Sequence, residues 1–412
     1  MNVLVAVEEL RAGGAQTFAL RFAQALQQAG HSVWLYTLYW QYAQDSLLRK
    51  LAPDVKLIHY QPGLTCADLM LQRAEGWLER HGYDLSIRSG ILKKHLKQTI
   101  EQYNIDVVSS NTFRCDELIS QVLRDMPSVP LVITMHGDYE QFMEFYKKGQ
   151  EHVIPNYPER VSNTLRAVQG VAYLADSNLE VLRPEVTPQE VTAHLVVRRI
   201  YNGLDAHLSG RAASRTRAAL GIEAEALVFG MVARGVAGKG WEPLVQAYRL
   251  LRSEITKPLA LVLVGDGPAL TQLQAECATE TDIHFTGFDD NPVDFVTVFD
   301  VGVLASSLRE CLPNSIAEYL FCGKACISTD VGEVRNMLQT STGEQAGLLI
   351  PFPESGLASA DELYQAMRRY ALEPALLQKH QQLASDAFQK FDMRRCVVAY
   401  EQLYNDCLTN RQ

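Results

Sequence analysis

Short apolar runs alternate with amphipathic helical stretches along this chain, and the alternation occurs twice. The first series starts with NVLVAV, a helical stretch over 15–28 and HSVWLYT, and continues through NIDVVSSN, a helical stretch over 117–124 and PLVITMH. The second contains LVFGMVAR, PLALVLVGDG and IHFTGF, with helical stretches over 243–252 and 270–277. Such alternation is typical of parallel sheets with helices on both faces. We predict an α/β protein with two doubly wound, Rossmann-like domains.

The chain of 412 residues is longer than one hydrophobic core usually fills, which also favours two domains. Between the two series, Asn202-Gly203 marks a turn and small polar residues follow it. We place the boundary within 203–215, with an N-terminal domain over 1–205 and a C-terminal domain over 206–392. Two such domains facing each other would form a central cleft at the carboxyl ends of their strands, where ligands bind in these folds.

Charge and cysteine usage exclude several classes of protein. The formal net charge of −10 argues against a nucleic-acid partner, which needs a dense basic face. The eight cysteines form no CxxC pair, so neither a zinc site nor a disulfide framework is indicated. The first apolar run stops at Glu8, and no window approaches the roughly 20 apolar residues of a membrane span. We expect a cytoplasmic protein that meets a membrane, if at all, from its surface.

Two acids, Glu310 and Glu318, flank a predicted helix start in the run SSLRECLPNSIAEYLFCGKACISTDVGE. Pro313 suits the first turn of that helix, Gly323 ends it, and a strand over 298–306 precedes it. A carboxylate ahead of the helix can accept hydrogen bonds from sugar hydroxyls, and the free N–H groups of the helix start can bind a diphosphate. This arrangement suits a sugar nucleotide. The alternative interpretation is a surface-loop acid together with a helix acid that makes an N-terminal capping interaction.

Two cations follow the first strand of the second series, in VFGMVARGVAGKGW. Glycines let the backbone approach phosphate oxygens, while Arg234 and Lys239 supply charge. A P-loop is excluded, because GxxxxGK[ST] would require Gly at position 233 and Ser or Thr at position 240. Gly265 in VGDGP lies either against a nucleotide or in a structural turn. In the first series, Gly13 and Gly14 link the first strand to a helix whose N-terminus could bind a phosphate or an acceptor group.

Three further features have both a structural and a functional interpretation. His136 ends an apolar strand, where it is either a packed side chain or a site residue. The aromatic stretch 139–146 follows helical spacing, which fits core packing or an apolar wall for a lipid-linked or sugar acceptor. The basic stretch 88–97 is either a solvated helix face or a contact for anionic lipid at the membrane surface.

Taken together, these motifs resemble the family 4 retaining glycosyltransferases, whose architecture is the GT-B fold. The resemblance covers nearly the whole chain and is carried, in order, by GGAQTFALRFAQALQQAGHSVWLYT, His136, YNGLD at 201–205, the loop of Arg234 and Lys239, VGDGP, the spacing of Glu310 and Glu318, and TDVGE at 329–333.

The resemblance implies a role for each of these positions. Arg234 and Lys239 would neutralise the donor diphosphate, Glu310 would hold the transferred sugar and Glu318 the ribose hydroxyls. His136 would line the sugar pocket. The remaining donor-binding positions would be Gly13, Gly14 and Gly265, with the backbone of Cys311, Leu312, Pro313, Asn314 and Ser315. A C-terminal helix within 393–412 would pack back on the N-terminal domain.

The resulting expectation is a hexosyltransferase that uses a nucleotide-sugar donor, with UDP-sugars favoured and GDP-sugars second, and needs neither a cofactor nor a metal. Its acceptor would be a hydroxyl in bacterial polysaccharide, lipopolysaccharide or another glycoconjugate. A sugar-nucleotide epimerase or a phosphorylase on the same fold, and a non-catalytic saccharide-binding protein, are the alternatives. The chain departs from the usual family residues at Ala233, Cys311, Tyr319 and Ala325, which we expect around the sugar pocket.

Overall fold

The computed structural model describes residues 1–11, 13–39, 41, 45–62, 65–80, 87–149, 154–204, 216–289, 292–354 and 356–409. The chain divides into two compact units. The first unit comprises Met1–Gly203 and Met393–Gln412, and the second unit comprises Leu204–Asp392. Most of the predicted linker, 205–215, lies outside the described residues.

The described part of the first unit contains a seven-stranded parallel sheet in the order β3-β2-β1-β4-β5-β6-β7. Its strands are β1 Asn2–Val7, β2 Ser32–Thr37, β3 Lys56–His59, β4 Val107–Ser110, β5 Leu131–Met135, β6 Val168–Tyr173 and β7 Val196–Arg199. The central strands β4 and β5 are buried on both faces, which explains why they read as continuous apolar or small-residue runs.

Helices cover both faces of this sheet. They are α1 Gly14–Gln28, α2 Asp45–Leu51, α3 Thr65–Arg80, α4 Ile87–Gln102, α5 Phe113–Leu123, α6 Asp138–Lys148, α7 Tyr157–Leu165, α8 Gln189–Thr192 and the C-terminal Met393–Thr409, with a 3-10 helix at Asp176–Leu182. The C-terminal helix packs on α1, where the Tyr400 ring lies 4.4 Å from that of Phe22. Gly203 adjoins the start of this helix, since a Cβ there would lie 2.6 Å from the Cα of Met393.

Within its described residues, the second unit has a six-stranded parallel sheet in the order β10-β9-β8-β11-β12-β13. Its strands are β8 Leu227–Val232, β9 Leu259–Val264, β10 Ile283–Gly287, β11 Val301–Leu304, β12 Ala325–Thr329 and β13 Gly347–Ile350. Its helices are α9 Trp241–Glu254, α10 Pro268–Glu276, α11 Val293–Val296, α12 Asn314–Phe321, α13 Val334–Leu338, α14 Ala360–Leu372 and α15 Pro374–Phe388, with 3-10 helices at Ala218–Leu220 and Gln389–Phe391. The C-terminal helix Met393–Thr409 is accordingly α16.

The predicted α/β class with two doubly wound parallel sheets is confirmed. Several predicted boundaries were wrong. The strand predicted over 298–306 spans only Val301–Leu304. Val298 and Phe299, which looked like part of the strand, are apolar residues buried in the turn after α11. The helix predicted over 117–124 already begins at Phe113. Pro313 precedes α12 as its N-cap rather than lying in its first turn.

Candidate functional site

The carboxyl ends of β8 and β11 define a switch point in the second sheet. From β8 the chain continues to β9 and β10 on one side, and from β11 it continues to β12 and β13 on the other. The pairing between β8 and β11 is limited to two positions, Phe229 with Val301 and Gly230 with Gly302. A crevice at such a point is where open α/β sheets bind ligands. Arg234 and Lys239 follow β8 and Glu310 follows β11, so the structure brings all three to this switch point.

Lys239 and Glu310 form an ion pair although 71 residues separate them in the sequence. Their side chains are only 11% and 16% exposed, so the pair is more strongly coupled than one at an open surface. The same carboxylate oxygen, Oε1 of Glu310, also accepts a hydrogen bond of 3.0 Å from the Ser306 hydroxyl. Within the described part of the chain, Oε2 of Glu310 has no hydrogen-bond partner and can accept one from a ligand.

Arg234 differs from Lys239 in being exposed. Among the described residues, no carboxylate forms an ion pair with its guanidinium. The backbone beside it is fixed, because Trp241 donates an indole hydrogen bond of 3.1 Å to the Arg234 carbonyl. An exposed guanidinium on a backbone fixed in this way can form two parallel hydrogen bonds to a phosphate.

Close backbone approaches hold the two loops of the switch point together. Gly240 has φ +87°, and a Cβ there would lie 2.1 Å from the carbonyl oxygen of Ala305. The amide of Ser307 donates a 2.8 Å hydrogen bond to the carbonyl of Gly238. A Cβ at Gly332, in the predicted TDVGE motif, would lie 1.9 Å from the carbonyl oxygen of Glu310. These contacts position Lys239 and Glu310 through the backbone.

Helix α12 begins beside Glu310, and its first N–H groups point out of the helix end. No acidic residue occupies its first turn, so the partial positive charge there can attract an anion. Ser315 and Glu318 are largely buried on this helix, and Asn314 is exposed. The carbonyl of Cys311 accepts a 3.1 Å hydrogen bond from the amide of Glu333, and Leu312 is half-buried between Cys311 and the helix.

Tyr319 and Ala325 do not surround a sugar pocket, contrary to the expectation from the sequence. Both are fully buried in the core of the second unit. Tyr319 packs on Gly302, where a Cβ would lie 2.3 Å from its ring. Gly265 has a structural role, because a Cβ there would lie 2.0 Å from the Ala233 carbonyl and its own amide donates to Gly287. Whether Gly265 also contacts a donor stays a prediction.

His136, Gly13 and Gly14 belong to the first unit. His136 is half-buried after β5, with Nε2 3.3 Å from Oδ1 of Asn111 and Nδ1 3.4 Å from Nδ2 of Asn202. Burial lowers the pKa of His136 to about 3, so the ring is neutral near pH 7. Gly13 precedes α1 without a side-chain cap, and no acid lies in the first turn that Gly14 begins. The first turn of this helix therefore supplies no carboxylate that would compete with a bound anion.

Sequence reasoning missed a group of acids at the carboxyl edge of the first sheet. Burial raises the pKa of Glu8 to about 7 and that of Asp138 to about 6. The Asp138 carboxylate accepts a 2.7 Å hydrogen bond from the amide of Phe113, and Asp116 accepts one of 2.8 Å from the Tyr139 hydroxyl. The position of Glu8, directly after an apolar strand, was the signal that could have identified this edge.

The structure contradicts part of the functional interpretation of the stretches 88–97 and 139–146. Arg88 is 3% exposed and forms an ion pair of 3.0 Å with Asp68, so it does not belong to a basic surface. In the aromatic stretch 139–146, Tyr139 and Met143 are buried in the core of the first unit, so core packing applies to these two side chains. Tyr146 is 39% exposed, and its contact with an acceptor stays a prediction.

No helix in the described ranges combines the length and the apolar character that crossing a bilayer requires. The same ranges contain no group of three or more His, Cys, Asp and Glu side chains arranged to hold a metal ion. All eight cysteines carry free thiols.

The chain matches two known protein families, one in each unit. The family described as Glycosyltransferase Family 4 matches residues 12–207, and the one described as Glycosyl transferases group 1 matches residues 226–370. The two matches fall on the two units in the order that the sequence motifs predict. The chain therefore belongs to the family 4, group 1 glycosyltransferases, and it is a transferase enzyme.

Relatives of known name agree with this assignment. The chain is 33% identical over 140 residues to EpsF of Bacillus subtilis, named as a glycosyltransferase, a match that spans 32% of this chain and 36% of EpsF. It is 21% identical over 331 residues to N-acetyl-alpha-D-glucosaminyl L-malate synthase of Bacillus anthracis, spanning 79% of this chain and 80% of that enzyme.

Solved structures resemble the chain over its whole length. HepE of Anabaena, in complex with UDP and glucose, matches with a TM-score of 0.72 at 18% identity, covering 98% of this chain and 100% of HepE. Sucrose-phosphate synthase of Thermosynechococcus elongatus matches with a TM-score of 0.71 at 17% identity, covering 98% of both chains. At these identities the likeness establishes the fold, and it confirms the GT-B architecture.

Proposed function

We propose that this glycosyltransferase moves a hexosyl group from a nucleotide-sugar donor to an acceptor hydroxyl in polysaccharide, lipopolysaccharide or other glycoconjugate synthesis, with retention of anomeric configuration. UDP-sugars are the favoured donors and GDP-sugars the second. The observation that carries the proposal is the convergence of Arg234, Lys239, Glu310 and the start of α12 at one switch point. The UDP and glucose bound to HepE, and the UDP-glucose bound in a second HepE structure, support a uridine donor.

The donor diphosphate would lie between the cation loop after β8 and the start of α12. Arg234 would form paired hydrogen bonds to phosphate oxygens, and Lys239 would add a point charge. The N–H groups at Asn314 and Ser315 would complete the positive environment. These groups supply the charge stabilisation that a leaving diphosphate needs, so the proposed reaction requires no metal and no cofactor.

The donor sugar would meet Glu310, whose Oε2 can accept hydrogen bonds from its hydroxyls, with the backbone of Cys311 and Leu312 beside it. Glu318 would hold the ribose hydroxyls. Gly13 and Gly14 would approach the diphosphate or the acceptor from the first unit. His136 would line the sugar pocket as a neutral, hydrogen-bonding side chain, because its low pKa argues against proton transfer near pH 7.

In the proposed reaction, the bond from the anomeric carbon to the diphosphate oxygen breaks with its electron pair on the phosphate. The acceptor oxygen bonds to the anomeric carbon on the same face, and the acceptor proton passes to the departing phosphate oxygen. The products are the glycoside and the nucleoside diphosphate. Removing one charged contact to the leaving group should raise the barrier by roughly 2–4 kcal/mol, a factor of about 10²–10³ in rate.

A surface on α3 and α4 supports action in the cytoplasm at the inner face of a membrane. Met70 and Trp77 on α3 are 71% and 52% exposed, and Ile87 on α4 is 53% exposed. Lys94 and Lys97 are exposed on α4. Exposed apolar side chains together with exposed cations favour an anionic lipid surface. Flotation with phosphatidylglycerol vesicles should be weakened by Trp77→Ser, and equal binding to pure phosphatidylcholine vesicles would contradict this part of the proposal.

The main test measures nucleotide release and thermal stabilisation with UDP-glucose, UDP-N-acetylglucosamine, GDP-mannose and ADP-glucose. We expect one donor class to stabilise the protein and to release its nucleotide slowly. Glu310→Ala and Lys239→Ala should abolish that release, while the exposed control Lys379→Ala should retain it. EDTA should leave the rate unchanged.

Other outcomes separate the alternative functions. Conversion of the donor sugar without any acceptor would indicate an epimerase. Visible-range absorbance from a pyridoxal Schiff base would indicate a phosphorylase. Donor binding without nucleotide release in the presence of acceptors would favour a saccharide-binding protein. A glycoside product with inverted configuration would refute the retaining mechanism.

A further inference from the structure

The Ser306 hydroxyl contacts the acid that we propose as the sugar-binding group. Ser306 is fully buried at the end of β11, and its Oγ lies 3.0 Å from Oε1 of Glu310. Its carbonyl accepts a 2.8 Å hydrogen bond from the hydroxyl of Thr329, which ties it to the end of β12. The serine is thus fixed to the sheet, whereas Glu310 is on the loop that follows.

The hydrogen-bond geometry selects Glu310 as the acceptor of the Ser306 proton. Oγ of Ser306 already accepts a 3.2 Å hydrogen bond from the amide of Leu308. Its single proton has two acceptors within reach, the Leu308 carbonyl at 3.3 Å and the Glu310 carboxylate at 3.0 Å. The carboxylate is both nearer and charged, so it forms the stronger hydrogen bond.

We infer that Ser306 is a positioning residue that keeps Glu310 aimed at the donor sugar after Lys239 moves its charge to the diphosphate. This inference rests on the proposed function. Before the donor binds, Lys239 and Ser306 both hold Oε1 of Glu310, which leaves Oε2 for the sugar. A diphosphate attracts Lys239 away from the carboxylate, because it carries more negative charge. Ser306 then remains as the group that fixes the orientation of Glu310.

The neighbouring residue has a different role. Both the amide and the hydroxyl of Ser307 donate to the carbonyl of Gly238, at 2.8 and 3.1 Å. Ser307 therefore holds the loop of Lys239, while Ser306 holds the acid. Loss of the Ser306 hydroxyl should weaken recognition of the sugar and leave recognition of the nucleoside diphosphate intact.

The experiment compares dissociation constants for UDP-glucose and UDP, and for GDP-mannose and GDP, in the wild type, Ser306→Ala and Ser328→Ala. Ser328 is the matched control, because it is equally buried but donates only to the Thr329 carbonyl. We expect Ser306→Ala to weaken binding of the preferred nucleotide sugar roughly 10–100-fold, the range for a hydrogen bond to a charged group. Its affinity for the free diphosphate should match that of Ser328→Ala.

A double-mutant cycle distinguishes positioning from a general structural effect. If Ser306 acts through Glu310, adding Ser306→Ala to Glu310→Ala, which has no acceptor left for the Ser306 hydroxyl, should change sugar-nucleotide affinity less than twofold. Unchanged sugar-nucleotide binding in Ser306→Ala, or equal losses for UDP-glucose and UDP, would overturn the inference while leaving the transferase proposal in place. Failure of the wild type to bind any of these donors would overturn the proposed function, and the inference with it.

Discussion

The hydroxyl of Tyr319 closes the gap between β8 and β11, and its removal gives a quantitative test of the switch point. The two strands pair only up to Gly230 and Gly302. Beyond that pair, the Tyr319 hydroxyl accepts a 2.9 Å hydrogen bond from the Val232 amide and donates one of 3.1 Å to the Val303 carbonyl. Tyr319→Phe keeps the ring but leaves both backbone groups without this partner.

The expected cost follows from those two contacts. An unsatisfied buried donor or acceptor costs about 1–3 kcal/mol, so the loss of both contacts should lower the free energy of unfolding by roughly 2–6 kcal/mol. For a unit of this size, 1 kcal/mol corresponds to about 2–4 °C. The melting temperature of the second unit should therefore fall by at least about 4 °C.

Thermal and urea unfolding of Tyr319→Phe should be compared with Tyr364→Phe. The Tyr364 hydroxyl also donates to an acceptor, Glu254, but this hydrogen bond is exposed. Its loss should leave the melting temperature close to that of the wild type, because water replaces the partner. Equal changes in the two variants would refute the reasoning, since they would mean that the backbone groups of β8 and β11 find other partners.

Two further predictions concern pH and backbone approach. Because burial lowers the pKa of His136 from 6.5 to about 3, its neutral form contributes stability that is complete above pH 6.5 and is lost as the pH falls toward 3. Urea unfolding of His136→Gln should therefore show a weaker loss between pH 7 and 5 than the wild type, by up to about 1.4 kcal/mol per pH unit, and parallel profiles would contradict this assignment. Gly240→Ala should lower stability by about 1–3 kcal/mol more than Gly343→Ala and should reduce nucleotide release. Gly343 is the control because its backbone has a similar φ of +88°, but a Cβ there would have no atom closer than 3.8 Å. Equal stability and activity in the two glycine variants would exclude the contact with Ala305 as a determinant of the loop.

The fold was predictable because buried parallel strands are apolar along their whole length. The runs NVLVAV, LVFGMV and LALVLV correspond to β1, β8 and β9. Where prediction of a strand failed, the apolar character had another origin. Val298 and Phe299 are buried in a turn, and Phe299 packs against Gly230, so their sequence pattern could not be distinguished from that of a strand.

The site was less predictable, because its contacts join residues that are distant in sequence. The motifs identified Lys239 and Glu310 as candidates, but no spacing rule indicates that their side chains meet. Arg88 was misassigned for a related reason. Its partner Asp68 lies 20 residues earlier on another helix, and only the packing of the two helices shows that the charge is neutralised inside the protein.

The backbone contacts explain why the charges of the site and the fold of the second unit depend on each other. Lys239 precedes a glycine that lies against the end of β11, and Glu310 has its carbonyl against Gly332 after β12. Ser307 joins the first loop to the second by hydrogen bonds to Gly238. A shift of either loop must therefore disturb its neighbour, and the spacing between the backbones of Lys239 and Glu310 is set by the sheet. A Cβ at Gly240 should therefore alter stability and chemistry together.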